Sequence, residues 1–264
     1  MGGYHKGGGA VYWNFPHNEC IGCRKVSEAC LHCYAETVCK RFDMNGDGTF
    51  DPKRRHNAKM PKRGVVFVCN MSDFMGEWMG DEEVEGIVRK CASGNGDNRV
   101  SLFLTKRHRR YDTLPLFSSS GDINCANSYF GVTAETQQRW DERKESIFGM
   151  KRRGFNTWVS VEPMLEPIDL GLTDCGVGGL VDWVVVGAES GSSRRRCDIA
   201  WIRDVVEQCR RASVNVFVKQ LDFGTRVETD IEKFPEDLKI REKPWGCKFD
   251  EGIARRAKFA IDKC

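Results

Sequence analysis

Short apolar runs and amphipathic segments alternate along the middle of the chain. Six runs rich in β-branched and aromatic residues have the length of strands: Val65 to Cys69, Ser101 to Leu104, Tyr129 to Val132, Thr157 to Val161, Trp183 to Val186 and Val214 to Val218. Helical periodicity separates several of them, most clearly at residues 81–91, 136–150 and 198–212. Nearly continuous apolar strands joined by helices predict a parallel sheet that is covered on both faces.

A further β-type run, Val11 to Asn14, precedes these and gives seven candidate strands. That number favours an α/β barrel, complete or partial, although an open sheet remains possible. We expect one barrel-like α/β domain over residues 1–264. Its parts are a cysteine-rich loop with the first helix (10–42), a basic insertion (43–64), βα repeats (65–222) and a C-terminal extension (223–264).

Charged residues follow the predicted strands one after another. They are Asp73, Lys106, Glu135, Glu162, Glu189 and Lys219. Because the carboxyl ends of parallel strands open on one face, we expect these side chains to converge on one mouth, where the active sites of α/β barrels lie. A single such residue is explained equally well by a helix cap or a surface loop, but six in succession favour a site.

Residues 20–39 contain five of the thirteen cysteines and follow the first predicted strand, so they are expected at the same mouth. Two ligand sets can be drawn from them. Cys20, Cys23, Cys30 and Cys33 form C-x2-C-x6-C-x2-C, which can close a tetrahedral zinc site. Cys23, Cys30 and Cys33 alone can hold a [4Fe-4S] cluster and leave one iron open. The spacing by itself leans toward zinc and leaves both sets open.

The composition is that of an ordinary soluble protein, with 40% apolar and 30% charged residues and a net charge of +3. The apolar runs are far shorter than a membrane span. An odd number of cysteines without a recognisable secretory signal favours a reducing compartment, so we expect a cytoplasmic protein. Basic clusters around Arg54, Arg109, Arg152 and Arg195 can track a phosphate backbone, although such runs are more often solvated surface.

The sequence resembles the phage-associated Gp37/Gp68 family, also called DUF5131, over most of its length. The resemblance is carried by Trp13-Asn14, Cys23-x-Lys-Val-Ser-x-x-Cys30-x-x-Cys33-Tyr-Ala-Glu36, Asn70-Met-Ser-Asp73, Leu104-Thr-Lys-Arg107, Val159-Ser-Val-Glu162-Pro, Val186-Gly-Ala-Glu189-Ser-Gly191 and Lys219-Gln220. The family keeps a three-cysteine pattern, onto which Cys23, Cys30 and Cys33 map, and Cys20 lies in a local insertion. The resemblance therefore favours the open three-thiolate set.

Three closely spaced cysteines after the first strand of a partial α/β barrel are also similar to the arrangement in radical S-adenosylmethionine enzymes. Their common spacing is C-x3-C-x2-C, whereas this loop has C-x6-C-x2-C. The resemblance implies a radical-SAM-type barrel that carries a [4Fe-4S] cluster and S-adenosylmethionine. In those enzymes the open iron chelates the amino and carboxylate groups of the cofactor, and electron transfer cleaves it to a 5′-deoxyadenosyl radical.

The same resemblance implies roles for individual residues. His32 takes the position beside the adenine, and Asp73, Glu162 and Glu189 contact the amine or ribose of the cofactor. The full cofactor-binding set that we expect is His32, Tyr34, Asp73, Glu135, Glu162, Glu189 and Ser190. Lys106 and Lys219 face the substrate and, with Glu162, form the expected catalytic group.

These features lead to a hypothesis with two alternatives. We expect a radical S-adenosylmethionine-type enzyme of phage or prokaryotic origin that modifies or repairs a nucleic acid base or nucleotide. A reducing partner such as flavodoxin or ferredoxin would supply its electrons. The first alternative is a zinc-bound nucleic-acid-binding protein without catalysis. The second is a barrel hydrolase or transferase that uses the strand-end carboxylates and has a structural metal.

Overall fold

The structure, a computed structural model, describes residues 12–55, 59–172 and 179–246. Ten strands occur in chain order: β1 (Phe15–His17), β2 (Cys20–Ile21), β3 (Lys53–Arg54), β4 (Arg63–Val68), β5 (Asn98–Thr105), β6 (Ser128–Thr133), β7 (Asn156–Val161), β8 (Trp183–Gly187), β9 (Asn215–Asp222) and β10 (Val227–Glu228). Eight of them form one sheet in the order β1-β4-β5-β6-β7-β8-β9-β10, and β2 and β3 form a separate antiparallel pair. The six predicted apolar runs all lie in this large sheet.

In the described ranges, five helices accompany the strands: α1 (Tyr34–Arg41), α2 (Asp81–Cys91), α3 (Arg110–Thr113), α4 (Gln137–Arg152) and α5 (Ile199–Arg211). Short 3-10 turns occur at Glu28–His32, Pro115–Phe117, Ser120–Asp122, Ile231–Lys233 and Glu236–Leu238. The Thr136 hydroxyl caps α4 by accepting from the backbone N–H of Arg139, and the Asp198 carboxylate caps α5 by accepting from that of Ala200. Within the described ranges, no helix combines the length and apolar character that a membrane span needs.

The sheet is open, so the expectation of a complete barrel is wrong. In the large sheet, each neighbouring pair of strands from β1 to β9 is parallel. The last strand, β10, runs antiparallel along β9. Closure would require β1 to pair with the far edge, but β1 pairs with β4 and β10 covers that edge. The α/β class and the mostly parallel sheet agree with the sequence prediction.

The first strand lies further along the chain than predicted. Phe15 to His17 pair with Val66 to Val68, whereas the expected run ended at Asn14 and began at Val11, which lies outside the described residues. The aromatic character of that run has another cause, because the Tyr12 ring packs into the inner face of the sheet. Pro16 is tolerated in β1 because this is an edge strand.

The two faces of the sheet carry different apolar layers. The outer layer packs helices α2, α4 and α5 on the strands, whereas the inner layer is rich in aromatic rings: Tyr12, Phe67, Tyr129, Trp158, Trp183, Phe217 and Trp245. Gly131 in β6 is required by this packing, because a Cβ there would lie 2.4 Å from Nε1 of Trp158. The aromatic layer fills the interior below the carboxyl ends of the strands and leaves those ends as the open face.

Candidate functional site

The cysteine loop lies across the carboxyl ends of β4, β5 and β6. The hydroxyl of Tyr34 donates to the backbone oxygen of Asn70 at 2.6 Å, just after β4. Arg107, which follows β5, donates to the Arg24 backbone oxygen at 3.0 Å. Ser27 donates to the Glu135 carboxylate, beyond β6, at 2.5 Å. These three contacts hold the loop at the mouth where the sequence places it.

Two thiols of the loop contact polar side chains at the mouth, and the third, that of Cys33, packs against the apolar cluster that contains Cys39. Cys30 is buried and its Sγ lies 3.6 Å from the Ser27 hydroxyl, while Cys23 Sγ lies 3.8 Å from Nη1 of Arg107. Burial raises the pKa of the Cys23 thiol to about 12; Asp73 and Cys30 add to the rise and Arg107 opposes it. Burial, with a smaller contribution from Cys30, also raises the pKa of Cys33. Cys30 is therefore close enough to Cys23 and to Cys33 to raise the pKa of both thiols.

The other two cysteines of the segment belong to apolar clusters. Cys20 is fully buried among residues of the outer layer, including Val68 and Cys69. Cys39 packs with Ile21, Ala35 and Met71, and its thiol donates to the backbone oxygen of Thr49 at 3.6 Å. Both are explained by packing alone.

A tetrahedral zinc site with four thiolates would bring its sulfur atoms to about 3.8 Å from one another. Among the described residues, His17, Glu19 and Cys91 form the sole group of three or more such side chains whose donor atoms all lie within 4.8 Å. Cys20, Cys23, Cys30 and Cys33 thus do not form a closed site. The sulfur atoms of Cys23, Cys30 and Cys33 do not all lie within 4.8 Å of one another either.

Asp73 organises the end of β5. Its carboxylate accepts from the Thr105 hydroxyl at 2.7 Å, the Lys106 backbone N–H at 3.0 Å and Nη1 of Arg107 at 3.1 Å. Arg107 also pairs with Glu77 at 2.8 Å and lies 4.8 Å from the ring of Trp78. Asp73 therefore fixes the cation that faces Cys23.

Glu135 is fully buried and has two cationic partners. Lys106 Nζ lies 2.5 Å from its Oε1, and Arg143 of α4 contacts Oε2. Although burial acts in the opposite direction, the charges of Lys106 and Arg143 lower the pKa of Glu135 to about 2. The carboxylate is therefore ionised and couples Ser27 of the cysteine loop to the sheet.

Glu189 makes a second connection to the loop, beyond β8. Arg195 Nη2 pairs with its Oε1 at 2.5 Å, and His32 Nδ1 lies 3.2 Å from its Oε2. Burial opposes ionisation here too, but the hydrogen bonds of Arg195 and His32 lower the pKa of Glu189. Arg195 also donates to the backbone oxygen of Glu28 at 3.0 Å. Ser190 follows at an exposed position.

Glu162 and Lys219 form an ion pair of 2.9 Å on the far side of the mouth. The Tyr12 hydroxyl donates to Glu162 Oε2 at 3.3 Å, and Lys219 Nζ lies 5.8 Å from the Tyr12 ring centroid. Lys219 lies within β9, whereas the sequence placed it after a strand ending at Val218. The strand continues to Asp222 because its last residues pair with β10. Lys219 still points to the mouth, because its partner follows β7.

The comparisons with known proteins give a family assignment. The sequence matches the family described as "Protein of unknown function (DUF5131)" over residues 10–252. The chain belongs to the DUF5131 family. This confirms the resemblance to DUF5131, whereas the Gp37/Gp68 name and a phage origin stay predictions. No curated protein matches the sequence.

Similar solved structures are those of spore photoproduct lyase. The lyase complexed with a dinucleoside spore photoproduct shares 13% identity at a TM-score of 0.42, covering 74% of this DUF5131 chain and 61% of the lyase. A point mutant of the same enzyme gives 13% identity and a TM-score of 0.42 over 91% of this chain and 72% of the lyase. A third structure, a lyase mutant with the dinucleoside spore photoproduct, has a TM-score of 0.41, and the match covers 60% of that lyase chain. Similarity this low carries no functional assignment.

Most cations of the predicted basic clusters of this DUF5131 protein are paired internally. Lys106 and Arg107 bind the site carboxylates, Arg153 lies 3.8 Å from Asp112, and Arg54 pairs with Glu83. Arg194 and Arg196 both approach Asp222, which Arg196 contacts at 3.0 Å. The clusters are therefore weaker support for a phosphate-binding surface than the sequence indicates. Residues 56–58 of the basic insertion lie outside the described residues.

Four groups that complete the site were not among the predicted catalytic, cofactor-binding or metal residues: Ser27, Arg107, Arg143 and Arg195, the last of which the sequence placed only in a basic cluster. Ser27 and Arg107 lie inside the quoted motifs, next to predicted residues, so proximity could have suggested them. Arg143 lies in the middle of α4, where a lone arginine is ordinary helix surface. Its burial beneath Glu135 becomes visible only in the fold.

Proposed function

We propose that this DUF5131 protein is a radical S-adenosylmethionine-type enzyme in which Cys23, Cys30 and Cys33 hold a [4Fe-4S] cluster. One observation carries the proposal: Cys23 and Cys30 contact polar side chains of the strand-end mouth, and Cys33, although it also packs against the apolar cluster of Cys39, is close enough to Cys30 and Lys106 for both to affect its pKa. Cys20 and Cys39 are instead fully buried in apolar clusters. Three protein thiolates leave one iron of such a cluster with an open coordination position.

The surroundings of the three cysteines fit an anionic cluster. Arg107 faces Cys23, and Lys106 is close enough to Cys33 to lower the pKa of that thiol, against the larger effect of burial. The Ser27 hydroxyl lies at hydrogen-bonding distance from Cys30. Positive charge and hydrogen bonds to sulfur are the means by which a protein tunes such clusters. When bound, the cluster supplies one-electron chemistry.

The predicted cofactor residues divide into two kinds. Asp73 and Glu135 are buried and bound to cations, so we assign them to holding Arg107, Lys106 and Ser27 in place. Glu162, His32 and Ser190 are less buried and line the more open part, where a carboxylate can accept from an amine or from ribose hydroxyls. Glu189 is as buried as Asp73 and is bound to Arg195, so we assign it to holding Arg195 and His32 in place. Lys219, whose side chain is 32% exposed, is placed to meet an anionic substrate.

We assign a nucleic acid base or nucleotide as the substrate class. Two exposed aromatic rings lie at strand ends, Tyr34 beside Asn70 and Phe223 directly after β9. Lys25 in the cysteine loop and Arg196 beside Asp222 keep more than half of their side chains in solvent although each has an acidic partner. Aromatic rings interleaved with cations are the usual elements of single-strand recognition. A flavodoxin- or ferredoxin-type donor would supply the electrons.

The alternatives have less support from the geometry. The four-thiolate zinc site needs Cys20, which is buried in a different cluster. A hydrolase needs a free carboxylate as base, whereas each of the four strand-end carboxylates is in an ion pair: Asp73 with Arg107, Glu135 with Lys106, Glu162 with Lys219 and Glu189 with Arg195.

The test is anaerobic reconstitution with iron and sulfide, reduction with dithionite, and chromatography for 5′-deoxyadenosine. We expect a visible iron–sulfur spectrum, a spectral change on addition of S-adenosylmethionine, and slow formation of 5′-deoxyadenosine without substrate. The Cys30→Ala variant serves as the matched control and should lose all three signals. A fully loaded cluster that neither responds to S-adenosylmethionine nor yields product would overturn the proposal.

A further inference from the structure

Three side chains of metal-ligating types meet at the end of β1. His17 is the last residue of β1, Glu19 follows two residues later, and Cys91 is the last residue of α2. One donor atom from each lies within 4.8 Å of the other two. His17 is 3% exposed and Cys91 is fully buried, whereas the Glu19 side chain keeps 13% of its surface in solvent.

The fold fixes the positions of these groups. The backbone N–H of Cys69, just after β4, donates to the His17 backbone oxygen at 2.7 Å, which holds the end of the short edge strand. Helix α2 packs on the same outer layer through Val84, Ile87 and Val88, and this packing brings its last residue beneath β1. Three elements thus deliver an imidazole, a carboxylate and a thiol to one place.

We propose that His17, Glu19 and Cys91 bind a zinc-class divalent cation. Imidazole, thiolate and carboxylate together suit the borderline-soft Zn²⁺ better than Mg²⁺ or Ca²⁺, which prefer oxygen ligands alone. Bond lengths at zinc place tetrahedral donor atoms about 3.3–3.8 Å apart, so the observed set needs side-chain shifts of about an ångström. His17 Nε2 now lies 2.6 Å from Glu19 Oε1, and the ion would replace the proton between them.

The surroundings of Glu19 are compatible with an ion. Lys90 Nζ lies 2.6 Å from the same oxygen, Oε1, that contacts His17. The Glu19 side chain keeps 13% of its surface in solvent, so the carboxylate can turn toward an ion and keep its pair with Lys90. A surface cavity of about 260 Å³, lined by Glu19, Arg54, Glu83, Ile87 and Lys90 among others, reaches this carboxylate and can supply a water as the fourth ligand.

Such an ion would tie β1 to α2. The strand has three residues and pairs on one side only, with β4. A ligand that binds only the folded state stabilises it by mass action, so the metal should raise the melting temperature. Binding should also release protons, because the thiol has to be deprotonated. The site does not depend on the cluster chemistry proposed above.

The test is a cobalt titration of the full chain carrying Cys23→Ala, Cys30→Ala and Cys33→Ala. These changes remove the three thiols of the proposed cluster, which would otherwise bind cobalt as well. We expect one equivalent of cobalt with a thiolate-to-cobalt absorption band, and a rise in melting temperature with zinc. Adding Cys91→Ser should abolish the band. Glu19→Gln, at a partly exposed position, should weaken binding by more than about tenfold, the range that changes to supporting groups already produce.

Two controls keep the result independent of folding defects. Cys209→Ser replaces another fully buried cysteine, on α5, and should leave the titration unchanged. In the wild-type background, Cys91→Ser should bind one equivalent less cobalt than Cys209→Ser. This comparison does not depend on the chain with three cysteines replaced. A missing absorption band, a band that persists in Cys91→Ser, or an unchanged cobalt affinity in Glu19→Gln would overturn the site.

Discussion

The hydroxyl of Ser27 donates a 2.5 Å hydrogen bond to the buried carboxylate of Glu135 and at the same time lies 3.6 Å from the sulfur of Cys30. Ser27 and Glu135 are far apart in the sequence, and their hydrogen bond joins the cysteine loop to the end of β6. Because Glu135 is itself held by Lys106 and Arg143, the position of Cys30 is set by the sheet and by helix α4.

Replacing Ser27 should change the cluster without removing it. In Ser27→Ala we expect the iron content of the reconstituted protein to persist and the reduction potential to become more negative. When the cluster is bound, the single hydroxyl proton of Ser27 would turn from Glu135, which Lys106 and Arg143 still neutralise, to the electron-rich sulfur of Cys30, and a hydrogen bond to sulfur stabilises the reduced state. A redox titration followed by electron paramagnetic resonance measures this. The exposed Ser118→Ala is the matched control. An unchanged potential would show that the hydroxyl serves Glu135 alone.

Glu135 should make stability depend on acid pH. Its pKa in the folded protein is about 2, below the ordinary value of 4.5, so its contribution is complete above about pH 4.5 and is lost as the pH falls toward 2. In Glu135→Gln, the buried cations lose their partner, and we expect a loss of about 3 kcal/mol in the free energy of unfolding at pH 7. Urea denaturation at pH 7 and pH 3 measures both. A difference from wild type that does not shrink at pH 3 would contradict the assignment.

The five cysteines of the loop segment should separate into two classes. Alanine at Cys23, Cys30 or Cys33 should abolish iron binding, because each supplies one of the three ligands. Alanine at Cys20 or Cys39 should leave the iron content unchanged and lower the free energy of unfolding by about 1 kcal/mol, from lost burial of the sulfur. Iron and sulfide counts after anaerobic reconstitution, with a thermal melt of each variant, make the comparison. If Cys20→Ala loses iron as completely as Cys30→Ala, the four-thiolate zinc alternative gains support.

Two glycines provide a matched test of the packing. At Gly131, the new methyl group of alanine would meet the Trp158 ring, and we expect destabilisation of about 1–3 kcal/mol. At Gly86 in α2, a Cβ would meet no atom within 4 Å, so Gly86→Ala should stabilise by up to about 1 kcal/mol through helix propensity. Chemical denaturation of the two variants should shift the midpoint in opposite directions. Equal shifts would contradict the close approach of β6 to Trp158.

The parallel strands and their helices were predictable because their apolar patterns are local. Helix α2 has the predicted bounds, and β7 begins one residue before the predicted run. The edge strand β1 was misplaced because the aromatic Tyr12 looked like a strand residue and Pro16 did not. In the fold, Tyr12 fills the inner face and Pro16 lies at an edge, where proline costs nothing. These outcomes depend on tertiary contacts that no local pattern encodes.

The candidate site was predictable in position and only partly in its connections. Strand ends had to meet on one face, so the cysteine loop and the charged residues were expected together. The pairing of those charges was not encoded in the pattern, because Ser27 and Glu135, or His32 and Glu189, meet only after the loop folds over the sheet. The prediction of a phosphate-binding surface from the basic clusters is weakened for the same reason. Asp222, Asp73 and Glu135, which lie in distant parts of the chain, pair with cations of these clusters.

Phe223 offers a direct test of the nucleic acid substrate. Its ring is 38% exposed and directly follows β9, and its chain neighbour Asp222 pairs with the cation Arg196, so the ring can stack on a base. Phe223→Ala should weaken the binding of a short single-stranded oligonucleotide by about tenfold, the value of one stacking contact, at any salt concentration. Arg196→Ala should instead reduce the slope of log affinity against log salt by about one. Fluorescence anisotropy at several salt concentrations measures both effects. Phe42→Ala is the control, because Phe42 is more exposed, at 61%, but lies beyond the far end of α1. If Phe42→Ala weakens binding as much as Phe223→Ala, the strand-end mouth is not where the oligonucleotide binds.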